Sequence, residues 1–256
     1  MPDVPALLHA RSLTDRGFAH AFTARDGGVS EGPFASLNLG AAVGDDPEHV
    51  RENHRRLARA VGYDPAALHQ TWQVHGGAVW SHTPDASPDD TRRVEADALV
   101  AAAPGVAVAV RVADCVPVLL ADVATGRVAA AHAGWRGVVA NVVGAALDAL
   151  GPRSPADVVA AIGPSIGPCC FEVGDDVAAE IAAATPTPVV RSRPGAKPLV
   201  DLWRAVEAQL HARGVTAVEP IGRCTVCDPG AFFSFRRDGA RSGRMVGVIV
   251  AKTPGG

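Results

Sequence analysis

Two histidines and one cysteine, each set in a distinctive short segment, are the first candidates for chemistry in this chain. His75 follows Gln73 by two residues, Cys115 directly follows Asp114, and His132 begins a His-Ala-Gly-Trp-Arg-Gly segment. Two imidazoles and a thiolate form a chemically sensible zinc ligand set, and three protein ligands leave the fourth tetrahedral position open. If these side chains converge, we predict a catalytic metal rather than a structural one.

The surroundings of His132 favour a ligand over an ordinary core histidine. A histidine taken alone is more often a hydrogen-bonded structural residue, and a lone buried cysteine usually packs as a small hydrophobe. The strand predicted for residues 127–133, however, carries small apolar residues on both faces. His132 therefore enters the core as a polar group that needs a partner, and a metal ion is one such partner.

The turn after His132 predicts an anion site. Gly134-Trp135-Arg136-Gly137 joins a predicted strand to a predicted helix, so free backbone N–H groups and a guanidinium stand close to the metal ligands. Phosphate or a carboxylate is the expected ligand. The alternative is that Arg136 pairs with a surface carboxylate and the last glycine only allows close packing. Asp114 is expected to give a supporting hydrogen bond, unless a bend brings it into the site.

A glycine-rich segment offers a rival chemistry. Gly163-Pro164-Ser165-Ile166-Gly167 matches the G-x-S-x-G nucleophile elbow and follows a predicted strand, as that motif requires. The chain order of such a triad leaves His211 as the only downstream histidine and favours Asp201 as the acid. These two residues lie at opposite ends of one predicted helix, roughly 15 Å apart. They cannot hydrogen-bond, so the segment is better interpreted as a turn.

The four remaining cysteines form a second pattern. Cys224-Thr225-Val226-Cys227 is followed at once by Asp-Pro-Gly, which favours a turn over the helix that a redox C-x-x-C begins. Together with Cys169 and Cys170 it offers four thiolates to a structural zinc, but adjacent cysteines point apart in an extended chain. We therefore favour a turn without a metal. Five cysteines, an odd number, also argue against a disulfide framework.

The elements that must position these residues are predicted from hydrophobic spacing and caps. Strands are predicted at residues 17–23, 68–74, 106–112, 116–122, 127–133, 158–162, 232–235 and 244–251. Helices are predicted at 49–61, 137–150, 175–184 and 200–213, with Asp45 or Asp46 capping the first, Asp201 capping the last and Gly214 ending it. Residues 185–198 are expected to be a long surface loop. Because the strands cluster in runs, an α+β fold is favoured over a doubly wound sheet.

Composition limits the function classes that remain. With 256 residues, 48% of them hydrophobic, the chain can bury a large core and fits a single domain over residues 1–256. A net charge of −3 with charges spread along the chain gives no basic face for nucleic acid. The N-terminal segment lacks a signal-peptide pattern, and no stretch reaches the roughly 20 apolar residues of a membrane span. We therefore expect a cytoplasmic protein without a membrane partner.

Taken together, the motifs resemble those of the YfiH family. The Ala-Asp-Cys-Val-Pro segment around Cys115 and the segment that begins at His132 are jointly highly specific. Further matching segments begin at Arg25, Ser36, Gly44, Gly163 and Phe233. The resemblance extends over residues 17–251. Members of the family are known as polyphenol oxidases or laccase-domain proteins and, more recently, as purine nucleoside phosphorylases.

The resemblance implies both a fold and an activity. The implied fold is a four-layer α/β/β/α sandwich shared with the catalytic domain of cytotoxic necrotizing factor. The implied activity is phosphorolysis of adenosine, inosine and methylthioadenosine, with adenosine deamination, on a zinc held by His75, Cys115 and His132. Phosphate is then the co-substrate, and we expect Arg136 to hold it. Further candidates for contacts to sugar, base or phosphate are Arg25, Asn38, Gln73 and Asp114, for the first three of which a turn-stabilising role is the alternative.

Other functions stay open at this level. The resemblance also implies peptidoglycan editing, in which L-Ser is removed from a UDP-muramic-acid precursor, and a third class is a non-catalytic, metal-stabilised partner of the division machinery. The nine histidines contain no H-x-H pair, so we expect no native laccase activity, although Cu²⁺ can displace zinc in vitro. The sequence departs from the family pattern at His54 and in the loop 239–244. We expect a monomer or a homodimer.

Overall fold

A computed structural model describes residues 4–255. Residues 1–3 and 256, which the predicted domain includes, lie outside this range. The strands are β1 (Leu7–Leu8), β2 (His20–Thr23), β3 (Leu68–His69), β4 (Val79–Ser81), β5 (Ala98–Ala101), β6 (Ala107–Val112), β7 (Val116–Asp122), β8 (Val128–Ala133), β9 (Val158–Ile162), β10 (Val190–Arg193), β11 (Ala196–Val200), β12 (Ala217–Pro220) and β13 (Met245–Val250). The α-helices are α1 (Arg11–Thr14), α2 (Pro47–Val61), α3 (Pro88–Thr91), α4 (Trp135–Val139), α5 (Val142–Leu150), α6 (Asp175–Ala183), α7 (Leu202–Ala212) and α8 (Phe235–Asp238).

Two sheets form the centre of the molecule. The larger sheet has six strands in the order β12-β9-β7-β8-β5-β4, antiparallel at its centre and parallel at both edges. The smaller sheet has five strands in the order β1-β2-β13-β6-β3, with only β3 and β6 parallel. The sheets bury a shared core in which Phe22 of one meets Leu119 and Ala130 of the other.

Helices cover the outer face of each sheet, so the layers follow the order α/β/β/α. Residues of α4, α5, α6 and α7 pack on the outer face of the six-stranded sheet, around Leu120 and Ala131. Leu57 of α2 packs on the outer face of the five-stranded sheet. Both the α+β class and the layer order predicted from the family resemblance are therefore confirmed.

The central strand β8 shows why its sequence is so rich in alanine. Ala129 and Ala131 face the helices, whereas Val128 and Ala130 face the second sheet, and all are fully buried. Small side chains on both faces let the two layers approach closely. By strand alternation His132 belongs to the face of Val128 and Ala130, at the end of the inter-sheet core.

The residues predicted to cap helices α2 and α7 do so in the structure. Asp46 accepts a hydrogen bond from the Glu48 N–H and Pro47 takes the first helical position of α2, which therefore begins two residues earlier than the apolar spacing indicated. Asp201 caps α7 by accepting from the Arg204 N–H. Gly214, with φ of 85°, takes the left-handed conformation just beyond the end of α7.

Two predicted elements were wrong because a local backbone preference overrides hydrophobic spacing. The helix predicted at 137–150 is two helices, since Asn141 adopts a left-handed conformation (φ 53°) and caps α5 through the Gly144 N–H. The strand predicted at 232–235 is a buried loop in which Phe232 and Phe233 pack as a small core, and Ser234 caps α8 instead.

The remaining corrections concern strand extent. The predicted surface loop 185–198 contains the β10–β11 hairpin, whose turn includes Gly195 with φ of 71°. The strand predicted at 68–74 is only β3, because the chain leaves the sheet after His69 and carries the loop that holds His75. The prediction also missed β5, an inner strand of the six-stranded sheet.

Among residues 4–255, no helix combines the length and the hydropathy that a bilayer crossing requires.

Candidate metal centre and cavity

Three separate segments bring His75, Cys115 and His132 together. His75 lies in the loop after β3, Cys115 in the turn between β6 and β7, and His132 on β8. Their ligand atoms all lie within 4.8 Å of one another, and the two imidazole centroids are 4.8 Å apart. His132 is buried, Cys115 is half-buried and His75 is exposed. The set is thus open to solvent on one side, as a three-ligand metal site requires.

Asp97 is the partner that His132 needs in the core. The Asp97 carboxylate is fully buried just before β5, and its Oδ1 lies 2.8 Å from His132 Nδ1. An ionised carboxylate only accepts hydrogen bonds, so Nδ1 carries a proton and Nε2 is the ring nitrogen that can bind a metal, in exchange for the proton it carries in the metal-free imidazolium. The β-ladder adds a hydrogen bond of 2.7 Å from the His132 N–H to the Asp97 carbonyl.

The same carboxylate holds the loop that carries His75. The backbone N–H groups of Val74, His75 and Gly76 donate to Asp97 at 3.2, 2.9 and 2.6 Å. Burial raises the pKa of Asp97, but the hydrogen bonds from His132 and the loop outweigh burial and leave its pKa below the ordinary value. One side chain therefore orients two of the three candidate ligands.

Asp114 sets the turn that presents Cys115. Its φ of 90° interrupts the strand alternation between β6 and β7. Its two oxygens accept from Thr225 Oγ1 and from the Arg236 N–H, each at 2.6 Å. This agrees with the supporting hydrogen bond expected from the sequence, although Asp114 also lines the adjacent cavity.

Cys115 and His132 perturb each other strongly. Burial raises the pKa of the Cys115 thiol, but the charge of His132 and hydrogen bonds from both histidines lower it to about 6. Burial lowers the pKa of His132, whereas the Cys115 thiolate and Asp97 raise it to about 9. The site is built to hold a thiolate at neutral pH, which is the form of cysteine that binds metals.

A cavity of about 480 Å³ opens beside the three residues. This volume lies in the range of small-molecule sites. His75, Cys115 and His132 all line it, together with the aromatic side chains of Trp72 and Phe235. Trp72 and Phe235 are 54% and 52% exposed, so flat apolar surface is available to a ligand at the mouth of the cavity.

Three arginines that the sequence interpretation missed also line the cavity, namely Arg111, Arg236 and Arg244. Within residues 4–255 none of them forms an ion pair with a carboxylate; their side chains donate to backbone carbonyls, and Arg111 also to the Gln73 amide oxygen. Burial, followed by the charges of Arg92 and Arg244, lowers the pKa of Arg111. Arg111 and Arg244 are half-buried, and positive charge that is half-buried without an ion-pair partner is the physical signature of an anion site.

The predicted substrate-contact residues divide into two groups. Gln73 and Asp114 line the cavity, and the Gln73 amide holds Arg111 in place by accepting from its backbone N–H and donating to its carbonyl. Arg25 and Asn38 do not line the cavity. Arg25 donates to the Ala35 carbonyl, and the fully buried Asn38 accepts from the Arg244 N–H, so both stabilise turns.

Arg136 is not brought to the cavity wall either. Arg136 is exposed and does not line the cavity, and its guanidinium lies 4.4 Å from the ring centroid of Trp135. Trp135 itself lines the cavity. The turn after His132 thus supplies an aromatic side chain to the cavity, whereas the arginines come from β6, α8 and the segment before β13.

The serine-hydrolase alternative fails on geometry. Ser165 is fully buried, and its Oγ accepts a hydrogen bond of 2.5 Å from Trp203 Nε1. His211 and Asp201 lie at opposite ends of α7, as expected. The segment around Ser165 is not the predicted turn: it bends at Pro164, Ser165 forms a parallel β-bridge with Cys224, and Ile166 lies in the cavity wall.

Asp97 and Arg111 could have been recognised as unusual from the sequence. Asp97 is an acid inside the apolar run Ala96-Asp97-Ala98-Leu99-Val100, and Arg111 interrupts a buried strand in the same way. A charge in such a run needs a specific partner or ligand. Arg244 carried no signal of this kind, because its place in the cavity depends on the contact of the Asn38 loop with the segment before β13.

Comparisons with known proteins show similarity over nearly the whole chain. Residues 19–252 match a family model described as "Multi-copper polyphenol oxidoreductase laccase". A Pseudomonas aeruginosa protein named purine nucleoside phosphorylase is 42% identical over 251 residues, covering 97% of this chain and 96% of its own length. The Escherichia coli purine nucleoside phosphorylase YfiH is 40% identical, covering 91% of this chain and 94% of its own. The crystal structure of Bacillus licheniformis hypothetical protein YfiH superposes with a TM-score of 0.89 at 31% identity, covering 98% of both chains.

Proposed function

The chain belongs to the YfiH family of laccase-domain proteins, and from this membership we propose that it is a zinc-dependent purine nucleoside phosphorylase. Adenosine, inosine and methylthioadenosine are the proposed substrates, with adenosine deamination as an additional activity of the same site. The observation that carries the proposal is the pair of imidazoles and the thiolate at the edge of an arginine-lined cavity. The relatives' names support the same reaction class.

The residues present fit a zinc ion. His75, Cys115 and His132 supply the two nitrogens and one sulfur of a catalytic zinc set, and Asp97 is the carboxylate that such a histidine ligand normally requires. Zinc bound there would supply Lewis acidity to a substrate oxygen or a water molecule. Deamination would draw on that chemistry, whereas phosphorolysis depends chiefly on how the chain orients phosphate and nucleoside.

Arg111 and Arg244 are the proposed phosphate ligands. In phosphorolysis a phosphate oxygen bonds to the anomeric carbon, and the bond to the purine nitrogen breaks. The purine leaves with the electron pair and is protonated, and ribose 1-phosphate is released. Guanidiniums bind phosphate through paired N–H groups. Both arginines line the cavity and lack a carboxylate partner within residues 4–255.

The exposed rings at the cavity mouth are the proposed contacts for the base. A purine presents two flat faces that stack on aromatic side chains. Trp72, in the loop that carries His75, and Phe235, in α8, both line the cavity and offer such faces. The Arg244 guanidinium lies 5.9 Å from the Phe235 ring centroid, so a purine stacked on Phe235 would lie close to a proposed phosphate ligand.

The oxidase activity in the description of the family model is not carried over to this chain. A copper cluster of the laccase type needs many bridging histidines. Within residues 4–255, each group of three or more candidate metal ligands contains at most two imidazoles. Copper can still replace zinc in vitro, because Cu²⁺ binds nitrogen and sulfur ligands more tightly.

The test is a phosphate-dependent product screen on protein whose metal content has been measured. We expect hypoxanthine and ribose 1-phosphate from inosine only when phosphate is present, and no product from a Cys115→Ala variant. Arg111→Ala and Arg244→Ala should each raise KM for phosphate, with Arg136→Ala as the matched surface arginine. If Arg136→Ala raises it instead, phosphate binds at the turn predicted from the sequence. Release of serine from a UDP-muramic-acid precursor, without phosphorolysis, would replace the proposal by peptidoglycan editing.

A further inference from the structure

Four cysteines outside the cavity come together at the surface. Cys169 and Cys170 lie in the turn before α6, and Cys224 and Cys227 lie in the turn after β12. Their four Sγ atoms are all within 4.8 Å of one another, and Cys227 Sγ lies 3.5 Å from Cys169 Sγ and 3.4 Å from Cys170 Sγ. No part of the activity proposed above uses these thiols.

The expectation that adjacent cysteines point apart was wrong for Cys169 and Cys170. That expectation holds for an extended chain, where side chains alternate. Here the chain turns tightly, with the Cys170 and Phe171 N–H groups both donating to the Gly167 carbonyl at 2.9 and 3.0 Å. The turn directs both sulfurs to the same side, toward Cys227.

The sulfur separations match a tetrahedral metal cage. A zinc–sulfur distance of about 2.3 Å in a tetrahedron places neighbouring sulfurs about 3.8 Å apart. The observed separations, from 3.4 Å up to at most 4.8 Å, span this value. A disulfide would draw one pair of sulfurs to about 2 Å. Instead, Cys227 Sγ is nearly equidistant from two others, which is the arrangement of ligands around a common centre.

The backbone around Cys224 favours a thiolate at that position, and an arginine lies nearby. The Gly167 N–H donates to Cys224 Sγ at 3.2 Å, and the N–H groups of Val226 and Cys227 point to the same sulfur. Arg236 donates to the Cys170 carbonyl and Arg237 to the Thr225 carbonyl. Four thiolates on a divalent ion leave two negative charges; Arg237 is already paired with Asp238, so Arg236 is the guanidinium of the two that can offset them.

We propose that Cys169, Cys170, Cys224 and Cys227 bind a second, structural zinc ion. A complete set of four thiolates leaves no open position, which distinguishes this site from the three-ligand site in the cavity. Tetrahedral sulfur sites select zinc or iron. Zinc is the ion we infer, because it needs no redox partner and is the usual occupant of a C-x-x-C turn completed by two further cysteines.

The proposed four-cysteine zinc site would stabilise one wall of the cavity. The turn of Cys169 continues into Phe171, and the turn of Cys224 carries Thr225, which donates to Asp114 beside Cys115. Arg236 links the Cys169 turn to Asp114, because its guanidinium donates to the Cys170 and Glu172 carbonyls and its backbone N–H donates to Asp114. Loss of the ion would therefore loosen Phe171 and the support of Asp114 at once, although neither contacts it directly.

The test is the zinc content of the full chain, purified under reducing conditions from zinc-replete cells. We expect two zinc ions per chain in the wild type and one in the Cys224→Ser/Cys227→Ser variant. Cys115→Ala should also hold one, and the combined variant none. Wild-type zinc content in Cys224→Ser/Cys227→Ser would overturn the proposal, and so would a single zinc in the wild type that disappears in Cys115→Ala.

A second measurement covers the case in which the serine variant does not fold. Metal-free Cys115→Ala protein, which keeps all four cysteines, is titrated with Co²⁺. We expect one equivalent to produce strong thiolate-to-cobalt absorption in the near ultraviolet, because only these four thiolates remain. Absence of that absorption in folded protein would overturn the proposal. Iron in place of zinc in the purified wild type, or fewer than five free thiols after denaturation, would do the same.

Discussion

At the scale of single residues, Asp97 organises the candidate metal centre. It is fully buried, accepts hydrogen bonds from three consecutive N–H groups of the His75 loop and fixes the tautomer of His132. Each of its oxygens therefore has two donors. A buried charge in such a position is tolerated only because all its hydrogen bonds are made.

Asp97→Asn should weaken metal binding roughly 10- to 100-fold, the usual cost of losing a partner of a histidine ligand. The amide nitrogen that replaces one oxygen would face two N–H donors. At the Oδ1 position these are the His75 N–H and His132 Nδ1, and at the Oδ2 position they are the Val74 and Gly76 N–H groups. Zinc affinity is measured by competition with a chromophoric chelator.

The control for Asp97→Asn is Asp122→Asn. Asp122 is equally buried and accepts from the Ala124 N–H and Thr125 Oγ1 at a turn that contacts none of the three candidate ligands. Equal zinc affinity of folded Asp97→Asn and Asp122→Asn would show that Asp97 has only a structural role.

The Cys115 thiol should titrate near pH 6 in metal-free protein. A cysteine in an unfolded chain titrates at about 8.5. Because the thiolate is the reactive form and the pKa is lowered, the alkylation rate of Cys115 should reach half its maximum near pH 6 and level off above about pH 7. Peptide mass spectrometry after short pulses of iodoacetamide separates Cys115 from the other cysteines. His132→Asn should move the midpoint upward, and a wild-type rate that still rises above pH 8 would contradict the assignment.

At the scale of elements, the turn between β8 and α4 brings the three ligands into contact range. Gly134 ends β8, and a methyl group added to it would lie 3.0 Å from Cys115 Sγ and 3.1 Å from His75 Cδ2. Only glycine lets the turn pass this close to both side chains. The segment that the sequence interpretation assigned to anion binding therefore has a packing role at the metal centre.

Gly134→Ala should lower zinc affinity about tenfold, since the added methyl group pushes Cys115 and His75 away from His132. The matched control is Gly230→Ala, whose methyl group would meet no atom closer than 4.0 Å. Both variants are compared by chelator competition and by urea unfolding. Unchanged zinc affinity in Gly134→Ala would mean that the exposed His75 moves aside without cost.

At the scale of the whole molecule, the two sheets are held by close packing around Phe22. Its ring is 1% exposed and lies against Gly163 and Gly247, where a Cβ atom would come within 2.3 and 3.2 Å of the ring. The candidate metal ligands His75, Cys115 and His132 lie at the end of this inter-sheet core, because β8 and the turn after β6 both border it. The positions of the ligands thus depend on how the sheets stack.

Phe22→Ala should lower the free energy of unfolding by about 3–5 kcal/mol, since it leaves a cavity between two rigid sheets. Phe235→Ala is the control: its ring is 52% exposed, and we expect a loss below about 0.5 kcal/mol. Urea unfolding of both variants measures the difference. Similar losses for the two variants would contradict the assigned role of Phe22 in the core.

Local patterns were sufficient for much of this protein. Asp46, Asp201 and Gly214 marked helix ends because capping depends on the nearest backbone groups. Runs of alanine and valine identified β7 and β8, because strands buried on both faces exclude polar side chains. His75, Cys115 and His132 stood out because a thiolate with two imidazoles is a recognisable zinc ligand set.

Only the tertiary structure decided how these parts meet. The arginines of the cavity come from residues 111, 236 and 244, and Asp97 reaches His132 across a β-ladder, so no sequence spacing encodes either group. The four cysteines converge because two distant turns pack together, which overrode the expectation that neighbours point apart. Ligand types are a property of the chain, whereas their partners depend on contacts between residues far apart in sequence, and these form only when the sheets and turns pack.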